Sequence, residues 1–131
     1  MIKGVLRKDD AKKAVSLGLD GIIVSNHGGR RLDGMPASIN MLPDIVEAVG
    51  DKAEIFMDGG IRRGTDVLKA LALWARAVLI GRPYAYGLAA GGETGVRNVL
   101  ELLRAELENA MIATGCSKLS DIDRSLIMLP S

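Results

Sequence analysis

The rhythm of the chain constrains its fold more than any single residue does. Short apolar runs alternate with stretches of helical spacing, and each run closes in a glycine or polar cluster. Gly21-Ile22-Ile23-Val24-Ser25 is a continuous, largely β-branched run, as expected of a strand covered on both faces. Glu54-Ile55-Phe56-Met57 is a second run, ending in Asp58-Gly59-Gly60, and Ala77-Val78-Leu79-Ile80 is a third, closed by Gly81-Arg82-Pro83. Ile2-Lys3-Gly4 reads as the end of a further strand, so the sequence opens inside an element.

The intervening segments read as helices. Asp9 to Leu17 has helical spacing and stops at Gly18. Pro36 to Val49 follows, with Pro43 leaving the start of its regular part open. Thr65 is placed to cap a helix running to about Leu73. Thr94 to Ala113 predicts a long helix with Val96, Val99, Leu100, Leu103, Leu107 and Met111 as its apolar positions, and Leu119 to Leu126 a short one.

Strand, loop and helix in repetition are the signature of a parallel sheet. A doubly wound sheet and part of a (βα)8 barrel both fit. Four units make half of a barrel, and 131 residues fall short of the roughly 250 that a whole one needs. The expected fold is therefore α/β, half of a barrel plus C-terminal helices, in a single segment over 1–131. Half a barrel leaves strand edges bare at both ends. It must pair with its other half or with a copy of itself, or stay poorly folded.

Composition removes several classes of function. A net charge of +1 gives no field for nucleic acid or an anionic membrane, and 3% aromatic residues provide no base-stacking surface. The lone cysteine, Cys116, forms neither an internal disulfide nor a metal cluster, so a reducing, cytoplasmic setting is expected and no metal is. No apolar stretch is long enough to span a bilayer, and the start lacks a signal-peptide pattern.

The polar residues collect where the strands end, the face on which barrel enzymes build their sites. Lys3 closes the first strand, Ser25-Asn26-His27-Gly28-Gly29-Arg30 the second, Asp58-Gly59-Gly60-Ile61-Arg62 the third and Gly81-Arg82 the fourth. His27 is the only histidine. A lone loop histidine is more often a surface residue than a base, but this one stands beside two glycines that admit a ligand closely. Arg30 carries a planar fork suited to a carboxylate. A base next to a carboxylate anchor is what removal of hydrogen from a hydroxy acid requires. Gly59-Gly60 with Gly81-Arg82 reads either as a phosphate cradle or as tight turns with a solvated arginine. Lys3, if it points into the barrel mouth, places a fixed cation there. Asp33 and Asp58 read equally well as structural acceptors and as catalytic groups.

Together, Lys3-Gly4-Val5, the run from Ser25 to Asp33, Asp58-Gly59-Gly60-Ile61-Arg62-Arg63-Gly64 and Ile80-Gly81-Arg82-Pro83 resemble the FMN-dependent 2-hydroxy-acid dehydrogenases. That family includes glycolate oxidase, L-lactate dehydrogenase and oxidase, and mandelate dehydrogenase. The resemblance covers nearly the whole chain and is to the C-terminal half of those proteins. It implies a (βα)8 barrel holding FMN and oxidising a small L-2-hydroxy acid to a 2-oxo acid. It further implies His27 as the base, in contact with substrate, and Arg30 as the carboxylate anchor. Lys3 would lie by the flavin ring, Ser25 would contact the flavin, and Asp58, Gly59, Gly60, Ile61, Arg62, Gly81 and Arg82 would hold the ribityl chain and phosphate. In the family, the other half supplies a substrate tyrosine, further flavin contacts and a carboxylate that orients the histidine. Quinone-linked members associate with membranes peripherally, and homo-oligomers are expected. The motifs specify neither the hydroxy acid nor the electron acceptor, be it oxygen, quinone or cytochrome. A non-catalytic half-barrel that binds only phosphate groups is the competing reading. Type 2 isopentenyl diphosphate isomerases share the two phosphate elements, but the Ser25–Arg30 run sets them apart. One departure stands out: Trp74 takes a helix-closing position that is usually glycine in the family.

Overall fold

The computed structural model describes residues 1–128. Its elements alternate as the sequence rhythm requires: β1 (Ile2–Val5), α1 (Lys8–Ser16), β2 (Gly21–Val24), α2 (Ser38–Val49), β3 (Glu54–Asp58), α3 (Gly64–Ala72), β4 (Ala77–Leu79) and α4 (Arg82–Ala113). The four strands are parallel and adjacent in chain order, β1-β2-β3-β4. This is half of an eight-stranded βα barrel. Among the described residues, β1 and β4 each pair on one side only. No helix among them is long and apolar enough to cross a membrane.

Alternation along each strand assigns the two sheet faces. Ile22 pairs in register with Ile55 and Val24 with Met57, and all four are buried. They pack with Ala11 and Ala14 of α1, Leu42, Ile45 and Val49 of α2, and Ala70 of α3. Burying a side chain of this size contributes about 1.5–3 kcal/mol, so this layer fixes the register. Lys3, Ile23, Phe56 and Ala77 form the row facing the other way.

Four sequence expectations change. Helix α2 begins at Ser38 rather than Pro36 and runs through Pro43. Thr65 is not a cap: the Asp66 carboxylate accepts the backbone N–H groups of Arg62 and Arg63, each at 2.9 Å, and so captures the free donors of the α3 N-terminus. Helix α4 begins at Arg82 instead of Thr94 and is broken at Gly91 (φ −154°) and Gly92 (φ 58°) into two arms. The arms meet at Gly87 and Gly95, where a β-carbon on Gly95 would overlap the Gly87 carbonyl. The predicted helix over 119–126 is two 3-10 turns, Leu119–Asp121 and Arg124–Leu126. Asp123 accepts from the Ser125 hydroxyl and N–H. Asp121 accepts from Ser117 and Lys118, and the Ser117 hydroxyl foremost holds its carboxyl below the usual range. Such side-chain bonds compete with helical ones.

Three helices end in the same way. In α1, Gly18 N–H bonds Val15 O and Leu19 N–H bonds Ala14 O; in α4, Gly115 and Cys116 make the equivalent pair to Ile112 and Met111. In α3 the residue in the glycine position is Trp74, with φ 72° and 72% exposure. Its N–H bonds Leu71 O at 2.9 Å and Ala75 N–H bonds Ala70 O at 3.0 Å, completing the motif. A left-handed non-glycine residue costs about 1–2 kcal/mol, part of which glycine returns as chain entropy. Trp74→Gly is therefore expected to stabilise the fold by about 0.5–1 kcal/mol, raising the thermal midpoint by a few degrees. A lowered midpoint would show that the indole makes compensating contacts.

Candidate active site

The strand ends converge on one cavity of about 370 Å³. Lys3, His27, Arg30, Asp58, Gly59, Gly60, Ile61, Arg62, Gly81 and Arg82 all line it. Ser25 does not: it is wholly buried below the cavity, where its hydroxyl accepts from Lys3 Nζ at 2.9 Å and from the His27 N–H at 3.1 Å. Asp33 lies outside the lining, its carboxylate capping the Gly34 N–H.

Lys3 sits inside β1 rather than at its end, and its ammonium reaches Asp58 Oδ2 at 2.6 Å across β2. Asp58 is largely covered. Its other oxygen, Oδ1, is buried without a hydrogen-bond partner among the described residues. An unpaired carboxylate oxygen at a cavity wall costs free energy until a donor arrives.

The loop bearing His27 is pinned by residues that the sequence reading passed over. Asn26 Oδ1 accepts the Gly28 N–H at 2.9 Å, Asn26 Nδ2 donates to Pro36 O, and Ser38 Oγ accepts the Asn26 N–H at 3.1 Å. His27, Gly28 and Gly29 are all left-handed, with φ of 55°, 68° and 71°. For His27 this is strain, held in place by the bonds around it. The residue as a whole is exposed. Gly59 brings β3 close to the loop, since a β-carbon there would stand 3.2 Å from both Asn26 Oδ1 and Ser38 Oγ.

Arg82 donates from its guanidinium to Gly28 O at 2.9 Å, tying the end of β4 to the histidine loop. Arg30 and Arg62 are exposed, and among the described residues their guanidinium groups have no protein partner. The α4 N-terminus opens on the same cavity, with Gly81 as its cap. At the neighbouring α3 N-terminus, Glu106 Oε2 accepts the Gly64 N–H at 2.8 Å and its Oε1 pairs with Arg63 at 3.0 Å. No group of three or more metal-ligating side chains forms among the described residues.

The fold thus gathers a histidine, three arginines and a Lys–Asp pair at the C-terminal ends of parallel strands. Residues 1–129 match the family described as FMN-dependent dehydrogenase, and the chain belongs to that family. It is 59% identical to 2-hydroxyacid oxidase 1 of Mus musculus over 97% of this chain and 34% of that protein. It is 56% identical to pre-mycofactocin synthase of Mycolicibacterium smegmatis over 99% of this chain and 33% of that protein. A solved mandelate oxidase superposes with a TM-score of 0.89 at 53% identity, covering 93% of this chain and 36% of that one. The chain thus spans about a third of the length of the curated relatives it matches.

Proposed function

We propose that these residues form the cofactor and base side of an FMN-dependent oxidation of a small L-2-hydroxy acid, lactate- or glycolate-like, to the 2-oxo acid. The observation that carries this reading is the gathering of His27, Arg30, the Lys3–Asp58 pair and Arg62 around one cavity at the strand ends. Residues 1–131 act as a single segment of a barrel completed by further βα units, on the same polypeptide or on a second one. The single, buried cysteine fits a reducing, cytoplasmic compartment.

The site fits FMN by its own chemistry. The orphaned Asp58 Oδ1 needs a donor, which a ribityl hydroxyl provides. Arg62, Arg82, the open Gly60 backbone and the α4 N-terminus form a cationic, donor-rich corner for the phosphate. Gly59, Ile61 and Gly81 complete that wall, and Lys3 sits where negative charge on the flavin ring would be stabilised. Ser25, a flavin contact by resemblance, also supports Lys3 and the His27 backbone through its hydroxyl. When bound, the flavin accepts the electron pair released by oxidation.

The protein groups bind and deprotonate the substrate. Arg30, with no side-chain partner among the described residues, offers two parallel donors to the substrate carboxylate and so fixes the acid's orientation. His27 then takes the proton that leaves as the 2-oxo group forms. Arg30→Lys is expected to weaken hydroxy-acid binding about tenfold or more with FMN affinity unchanged, because an ammonium cannot reproduce the fork. The measurement is a substrate titration of flavin absorbance, with the remaining barrel units supplied. Equal substrate affinity in the two proteins would remove Arg30 from carboxylate recognition. Absence of hydroxy-acid-dependent flavin bleaching in the unmodified holoprotein would overturn the whole reading. The 56% identity to pre-mycofactocin synthase favours a second reading, in which the same rim serves another substrate class; failure with hydroxy acids but stoichiometric FMN would point there.

A further inference from the structure

Gly4 stands next to Lys3 in β1. The pairing of β1 with β2 is regular through Lys3↔Ile23 and then slips, so that Val5 pairs with Val24 and Gly4 is left over as a bulge. Its φ is +98°. Bulges re-aim a strand locally and collect near functional sites. Here the missing side chain faces the histidine. A β-carbon on Gly4 would overlap His27 Nε2 and lie 3.3 Å from Cε1 and 3.4 Å from Cδ2. The imidazole therefore lies with its Nε2 edge against bare backbone. No side chain supplies a hydrogen bond to the ring among the described residues; Ser25 holds only the main chain of His27.

We propose that Gly4 is a positioning residue: the side-chain-free bulge in β1 is the seat of the His27 imidazole and sets how its Nε2 edge lies relative to the cavity. The adjacent Lys3 supports the same histidine by a second route, through Ser25 to the His27 N–H. One dipeptide thus holds the base from two sides, the main chain by a hydrogen bond and the ring by an absence of atoms. The catalytic consequence rests on His27 being the base; the seating itself does not.

A glycine at φ +98° is required by the backbone alone, so loss of stability in Gly4→Ala proves little. A double-mutant cycle separates the two causes. Melting temperatures are measured for the full chain, for Gly4→Ala, for His27→Ala and for the double variant. If the methyl collides with the ring, Gly4→Ala lowers the melting temperature at least twice as much in the unmodified background as in His27→Ala. Equal losses in both backgrounds would overturn the proposal and leave backbone strain as the whole cost. His27 is the only histidine, so its ring resonances are unambiguous. A nuclear Overhauser contact between the Gly4 α-protons and the imidazole protons is expected in the unmodified chain, and its absence would overturn the proposal even if Gly4→Ala fails to fold. In the holoprotein, Gly4→Ala should lower kcat at least tenfold with KM nearly constant. If His27→Gln leaves turnover intact, the assignment of the base falls, while the seating is still decided by the cycle and the proton contact.

Discussion

His27→Gln is expected to lower turnover by about 10²–10⁴-fold while FMN stays bound, with the remaining barrel units supplied. Glutamine approximates the size and hydrogen-bonding capacity of the imidazole but cannot accept a proton at neutral pH. Residues 1–131 hold no other histidine to substitute for it. The groups assigned to the cofactor are Lys3, Asp58, Arg62, Arg82 and the glycine turns, none of which depends on the imidazole. Flavin content and affinity should therefore match the unmodified protein, and the loss should fall on kcat. Steady-state kinetics together with the flavin-to-protein ratio check this. Normal kinetics would take His27 out of the mechanism, and loss of flavin would make it a cofactor contact instead.

The largest expected effect on stability comes from a residue outside the cavity. Gly64→Ala should destabilise the fold by about 3 kcal/mol, at the upper end of overpacking costs. A β-carbon there would overlap the Leu107 nitrogen and the Glu106 carbonyl carbon, and backbone in a helix cannot rotate away as a side chain can. Helices α3 and α4 would have to separate, pulling Glu106 off the Gly64 N–H and off Arg63. The denaturation midpoint should fall at unchanged slope. Gly60→Ala is the contrasting case: its backbone is left-handed, at φ +81°, where that of Gly64 is not, but its β-carbon meets open space. It should cost only about 1–2 kcal/mol. Equal losses for the two would show that the helices have room to part.

What was legible in the sequence followed local physics. Gly21–Val24 and Glu54–Asp58 declared themselves as strands because β-branched and apolar residues ran without a break between turn residues. The cluster around the cavity could be read because most of its members lie at or just past strand ends, and parallel topology then brings them to one rim. The first arm of α4 was hidden because Gly87, Gly91, Gly92 and Gly95 look like a loop; two make the break and two let the arms touch. The links of Ser25 to Lys3 and to the His27 N–H were hidden because spacing does not encode the direction of a side chain. Asp66 displaced Thr65 as the cap because a carboxylate satisfies two free donors at once. Glu106 was beyond reach for a different reason: its partners lie some forty residues upstream, and only the packing of α3 on α4 makes them neighbours.

The strained close of α3 has an experimental use. Trp74 is the chain's only tryptophan, and its left-handed backbone props the indole out into water near Asp20, Glu54 and Arg76, where the strands begin. The molecule thereby carries its own optical gauge at the end of the sheet opposite His27. Its emission colour registers whatever comes to cover the floor of the sheet, so assembly can be followed by light in a protein whose candidate site lies at the other rim.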